Sequence, residues 1–171
     1  PQFFLVKEQA RCFAEQIARE LEPFKSPSPL PVETAAAIRA FREEWRFRTA
    51  NDPAVQLWES PKQSMDWTVL FDPAETIPGN PLHRTFIIKP FTASSEAGLS
   101  LLRKHIGTIG IHPLNSESID LAVRLGAQRI CPIGQMQEPA IDWHHDGFPS
   151  LGSLVRFIDL ERKERWSEKR E

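Results

Sequence analysis

Apolar residues recur along this chain at two different periods, and the switches between them lay out the elements. Residues 3–6 (Phe-Phe-Leu-Val) are a short unbroken apolar run suited to a buried strand. Val6, Ala10, Phe13, Ala14, Ile17 and Leu21 then fall at three- and four-residue steps. That single stripe predicts a helix over 7–21, stopped by Pro23. Residues 25–31 (Lys-Ser-Pro-Ser-Pro-Leu-Pro) read as a stiff, extended connector. A second helix is predicted from residue 31 or 32 to about 49, with Ile38, Phe41 and Trp45 inward and Arg39, Arg42, Glu43 and Arg46 in water. The Asn51-Asp52-Pro53 turn ends it.

Residues 67–71 (Trp-Thr-Val-Leu-Phe) predict a strand, and residues 72–82, with their prolines and Gly79, a long loop. After the loop the pattern becomes regular. A strand is predicted over 85–90, a helix over 94–105 capped by Ser94 or Ser95, and a strand over 107–112. A helix over 116–125 closed by Gly126 and a short strand over 129–131 follow. Strand–helix–strand–helix–strand at this spacing suits right-handed parallel crossovers, so the expected class is α/β with a mainly parallel sheet. No internal repeat interrupts it.

Composition narrows the function classes. The 171 residues are 40% hydrophobic and 26% charged, ordinary for one globular domain with a proper core. A net charge of −2 gives no basic footprint for nucleic acid. No apolar run approaches the roughly 20 residues that span a bilayer. Cys12 and Cys131 are too few for a disulfide scaffold, which points to a reducing, cytoplasmic setting, although one bridge between them is compatible with the count. Because the chain opens on a proline and then directly on a strand-like run, it is expected to be a piece of a longer polypeptide. Residues 161–171 are a mixed-charge tail.

The candidate chemistry gathers in residues 129–147, a strand running into a loop that holds Gln135, Trp143, His144, His145 and Asp146. Loops so rich in hydrogen-bonding groups carry function more often than cores do. His144 and Asp146 have the His-x-Asp spacing of a non-haem iron site, for which His105 or His112 would supply the third ligand, in reversed chain order. The other readings are a polar loop beside a substrate mouth and histidines bonded to backbone carbonyls; no metal is assigned. Cys131, between a strand and Pro132, reads as a buried inert thiol unless His144 reaches it as a base. Cys12 reads as a core or near-surface thiol. Gly107 and Gly110 lie along a strand and read as close-packing positions, since no complete phosphate-binding glycine motif occurs. The turn at Gly134 suits close approach of main chain to a ligand.

Three stretches carry a family resemblance: residues 129–137 (Arg-Ile-Cys-Pro-Ile-Gly-Gln-Met-Gln), 139–147 (Pro-Ala-Ile-Asp-Trp-His-His-Asp-Gly) and 154–161 (Leu-Val-Arg-Phe-Ile-Asp-Leu-Glu). With the opening Pro1-Gln2-Phe3 and the helix after it, the chain resembles the acyl-CoA reductase family typified by the fatty-acid reductase of bacterial luminescence (LuxC). The resemblance implies an aldehyde-dehydrogenase-like catalytic domain, a three-layer α/β unit, of which residues 1–160 are the C-terminal part. It implies a nucleophilic cysteine just before Pro1 and a nucleotide-binding domain farther upstream. An acyl-CoA or acyl-protein thioester would be reduced to an aldehyde through an enzyme thioester, with hydride from NADPH.

No catalytic residue is then expected within the chain. His144, His145, Asp146, Trp143 and Gln135 are the candidate substrate-binding residues, and Phe86 is the candidate cofactor contact. The related dehydrogenases carry a Glu-x-Phe-Gly-Pro segment whose glutamate and glycine have no counterpart around Arg84-Thr-Phe86. A homo-oligomer is expected, with the apolar run 154–160 as a contact strand. A non-catalytic folding or oligomerisation module and a His/Asp oxygenase are the alternative functions.

Overall fold

A computed structural model of the chain describes residues 2–5, 7–145, 147–149, 152–154, 156 and 158. They fall into two compact units, residues 1–102 and the residues from 103 on. In the first unit the elements run β1 (Gln2–Leu5), α1 (Lys7–Leu21), α2 (Val32–Asn51), β2 (Gln56–Glu59), β3 (Thr68–Phe71), β4 (Thr85–Pro90) and α3 (Ala93–Leu101). The sheet order is β1-β4-β3-β2. β1 and β3 are parallel to β4, and β2 closes the other edge antiparallel to β3.

Side-chain alternation along the two central strands builds the layers. Val69, Phe71, Phe86 and Ile88 point to one face, where Ala10, Ala14 and Ala18 of α1 pack with Trp67, Phe3, Phe13, Ile17 and Leu21. Leu70 and Ile87 point to the other face and meet Phe41 and Trp45 of α2, with Val55 and Leu57. The unit is therefore helix on sheet on helix, and β3 and β4 are apolar on both sides as a central parallel pair must be. Of the predicted α1 stripe, Val6 lies outside the described residues.

Four expectations need correction. The first is β2, a strand for which no element was predicted: its four residues are too few to stand out, though Trp58 and Leu57 alternate between the two cores. Second, the helix expected over 94–105 is capped by Thr92 and ends at Leu101, with a 3₁₀ turn over Arg103–His105. Thr92 Oγ1 accepts from the Ser95 amide, and Ser95 Oγ accepts in return from the Thr92 amide.

The third is Arg42, placed in water by its helical phase but only 3% exposed. Its guanidinium donates to Thr68 Oγ1 (2.9 Å), Ser60 Oγ (3.3 Å) and the carbonyls of Ser64 (2.6 Å) and Trp67 (2.7 Å). Glu59 stands 3.4 Å away. Burial draws the Arg42 pKa below its usual value, and Glu59 opposes that pull. A planar five-donor group meets carbonyls and hydroxyls here that an apolar side chain would strand.

The fourth is the crossover from β4 to β5. Both hydrogen-bonding edges of β4 are already taken, by β1 and β3. In the second unit β5 (Thr108–Ile111) instead pairs in parallel with β6 (Arg129–Pro132), joined through α4 (Ser116–Arg124). Asn115 caps α4 in a capping box with Ser118, and Ala122 and Leu125 are buried beneath it. β7 (His144–His145) and β8 (Phe148–Pro149) form a two-residue antiparallel ribbon.

Gly110 is a close-packing position, since a Cβ there would lie 2.8 Å from Met136 Sδ. Gly107 is not, for a Cβ would meet nothing within 4 Å. Its carbonyl instead accepts from the amides of Gln128 and Arg129. The expected tail, 161–171, lies outside the described residues. Of the run 154–160 only Leu154, Arg156 and Ile158 are described, and all three are exposed. No helix among the described residues is long and apolar enough to cross a membrane.

Candidate functional site

The loop after β6 turns at once. Gly134 takes φ +96°, a left-handed conformation that other residues rarely adopt, and the Gln135 amide donates to the Pro132 carbonyl at 3.1 Å. The chain then runs through residues 136–143 almost without regular structure, and Arg129 holds it. Its Nη1 donates to the Met136 carbonyl (2.9 Å), and Nη2 donates to the carbonyls of Gln135 (2.9 Å) and Glu138 (3.3 Å). The guanidinium carbon lies 5.6 Å from the centre of the Trp143 ring, a cation–π contact. One half-buried strand residue thus gathers both ends of the loop. Sequence reading placed Arg129 in the signature but gave it no role; an arginine opening an otherwise apolar strand was the available signal.

The ribbon separates the two histidines. Neighbouring strand residues face opposite sides, so His145 shares a face with Trp143 and His144 takes the other. Trp143 and His145 meet edge to face, with ring centres 5.1 Å apart. Gln135, His144 and His145 are exposed, and Trp143 is half-buried. Asp146, the remaining residue of the proposed set, lies outside the described residues. Trp143 and His145 are therefore brought together, and the Gln135 carbonyl is tied to Trp143 through Arg129. Among the described residues no three His, Cys, Asp or Glu side chains converge as metal ligands.

Phe86 belongs to the first unit. Its half-buried ring stacks on Phe3 at 6.1 Å and 19° between planes, within the core that faces α1. That ring has one side engaged by a neighbour, so it offers an apolar wall and no polar hold on a nucleotide. Cys12 is an exposed free thiol and Cys131 a buried one.

A second unusual place adjoins the start of β4. Leu82, His83 and Arg84 all take positive φ, at 64°, 43° and 52°. Each such residue costs on the order of 1–2 kcal/mol, and a run of three persists only where surroundings dictate it. Here Asn80 Oδ1 accepts from the Leu82 amide (2.7 Å), and its Nδ2 donates to the Thr85 carbonyl (3.2 Å). Arg84 donates to the Asp66 carbonyl and to Ser26 Oγ, both at 3.0 Å, while its guanidinium covers the Phe24 ring at 4.8 Å. Bonds from the Ser64 hydroxyl and the Ser26 amide hold the Asp66 carboxyl below its usual range. None of these bonds uses His83, whose Nε2 is buried without a hydrogen-bond partner. Burial first, and then the charge of Arg84, hold its imidazole below the ordinary 6.5, with Asp66 pulling the other way. No glycine or asparagine occupies residues 82–84, so no residue type there marks the backbone as left-handed.

No curated protein matches the chain. The family described as acyl-CoA reductase (LuxC) matches residues 3–157, from β1 through the ribbon and beyond it. The elements that carry the loop, its arginine clasp and the strained turn all lie within that span, and the chain belongs to the LuxC acyl-CoA reductase family.

Proposed function

We propose that this chain is the C-terminal part of the catalytic domain of an NAD(P)H-dependent reductase that converts a fatty acyl thioester to an aldehyde. The observation that carries the reading is the family match across residues 3–157. The three-layer build of the first unit accords with an aldehyde-dehydrogenase-like domain. The nucleophilic cysteine stands just before Pro1 and takes the acyl group as a thioester. A nicotinamide, when bound, supplies the hydride, and NADPH is the expected donor. It is held mainly by an upstream domain, with Phe86 as an apolar wall beside it; no further step is assigned to this chain through the cofactor.

Gln135, Trp143, His144, His145 and Asp146 line the acyl entrance and meet the acyl-CoA or acyl-protein thioester. Exposed amide and imidazole groups on a clasped loop suit an amide-bearing pantetheine arm. The enzyme works in the cytoplasm as a homo-oligomer.

The test uses the complete gene product with a long-chain acyl-CoA and NADPH. Aldehyde formation with a thioester-linked acyl-enzyme is expected, and both should vanish when the cysteine preceding Pro1 is replaced. Residues 1–171 alone should show no turnover. Aldehyde production without an acyl-enzyme, or turnover by residues 1–171 alone, would sink the reading.

A further inference from the structure

A glycine weakens a strand, since it brings no side chain to pack and loses more backbone freedom on folding. Gly110 nevertheless sits within β5, and its backbone is not left-handed, so alanine would share its conformation. What the position cannot accept is the side chain. A Cβ there would lie 2.8 Å from Met136 Sδ and 3.0 Å from Met136 Cγ, whereas the next atom, Ile133 Cα, stands at an ordinary 3.6 Å. The bare backbone of Gly110 is a notch, and the Met136 thioether fills it.

Register says what surrounds the notch. Gly110 pairs with Cys131 and Thr108 pairs with Arg129, so these positions share one face of the β5–β6 pair. Cys131 is buried, and Arg129 donates to the Met136 carbonyl at 2.9 Å. Met136 is therefore held twice, by its side chain on β5 and by its carbonyl on β6. It is also the one residue of 133–138 that is not exposed.

We propose that Met136 is a positioning residue for the acyl-CoA reductase reaction, seated in the Gly110 notch so that the loop from Gln135 to His145 is presented in one arrangement. Its effect on substrate rests on the acyl-entrance reading given above, whereas the seat rests on geometry alone. Carbonyls recur at every residue, so the Arg129 guanidinium by itself can hold the loop one position along. A notch that admits a single side chain removes that freedom. Methionine suits the task, because an unbranched, polarizable thioether moulds itself to bare backbone.

The experiment places Gly110→Ala, Met136→Ala and Met136→Leu in the complete gene product. Steady-state kinetics with a long-chain acyl-CoA and NADPH are read beside deuterium exchange of amides 135–138. The methyl added by Gly110→Ala meets a flexible side chain and not backbone, so it displaces Met136 and spares the strand. Gly110→Ala and Met136→Ala should each speed exchange and raise KM about tenfold, with kcat within about twofold of wild type. Combining them should be no worse than either alone, because both remove the same seat. Met136→Leu, of similar volume, should keep KM within about threefold of wild type.

Unchanged exchange in Met136→Ala refutes the seat and leaves the entrance reading standing. Faster exchange with an unaltered KM refutes the positioning role and the entrance reading together. A fall in kcat and Tm at constant KM marks a purely structural residue and also overturns the proposal. Should Gly110→Ala not fold, the two Met136 variants decide by the same criteria.

Discussion

Arg42 and Arg129 do similar chemistry in opposite settings. Each spreads a guanidinium over carbonyls of a neighbouring segment, Arg42 over residues 60–68 and Arg129 over residues 135–138. Arg42 is buried between a helix and a sheet, whereas the loop that Arg129 gathers is exposed. In the first case water is excluded, so losing the donors strands every acceptor they satisfied. In the second, water replaces the donors, and what is lost is the order of the loop. The same residue type is buried scaffold in one unit and organiser of an exposed loop in the other.

The sharpest test of that contrast is Arg42→Met. Removing a buried charge whose partners stay behind should cost about 3–5 kcal/mol, read from urea unfolding of the first unit. Lys89→Met should fall just below or within that range. Lys89 and Asp72 are each 1% exposed, with Nζ 2.5 Å from Oδ2 and 3.1 Å from the Asp72 carbonyl. Replacing both with apolar residues of similar volume should return most of the loss, and a double-mutant cycle measures how much.

Arg129→Ala should cost under about 1 kcal/mol of stability, yet the amides of residues 135–138 should exchange with deuterium faster and the KM for acyl-CoA should rise. A loss as large as that of Arg42→Met would break the comparison. Arg48→Ala, which removes an exposed i,i+4 pair with Glu44, should change stability by about 0.5 kcal/mol or less.

Acidification sharpens the picture from another side. His83 has a folded pKa below its unfolded value, so the unfolded chain binds the proton more readily. Its contribution is complete above the ordinary 6.5 and declines as pH falls through the lower, folded value. Asp66 behaves likewise in a lower window, complete above the ordinary carboxylate range and lost as pH falls through its depressed pKa. Urea midpoints measured from pH 8 downward should therefore fall first through the His83 window. His83→Asn should remove that part alone.

Much of the first unit could be read from periodicity. The stripe through Ala10, Phe13, Ala14 and Ile17 predicted α1 with its observed ends, and β4 appeared over its predicted residues. Helical phase assigned Ile38, Phe41 and Trp45 inward correctly, but it could not see that Arg42 had acceptors waiting on the next segment. Strand pairing across sheets was equally hidden, because no single-residue signal says that β1 and β3 already occupy both edges of β4. At the candidate loop, residue type pointed to Trp143, His144 and His145. Their division between two faces follows from a two-residue ribbon too short to leave a pattern. The turn at residues 82–84 was wholly illegible, since its conformation is imposed by Asn80 and Arg84 contacts distant in sequence or specific to geometry.

The alanines at positions 10, 14 and 18 lie at 0%, 0% and 7% exposure along the seam between α1 and the sheet. With only a methyl at each contact, they set how near that helix can come to the strands. Valine or leucine at any one would have to wedge the layers apart, so tolerance to mutation along α1 should follow side-chain volume and be nearly blind to polarity on its outer surface.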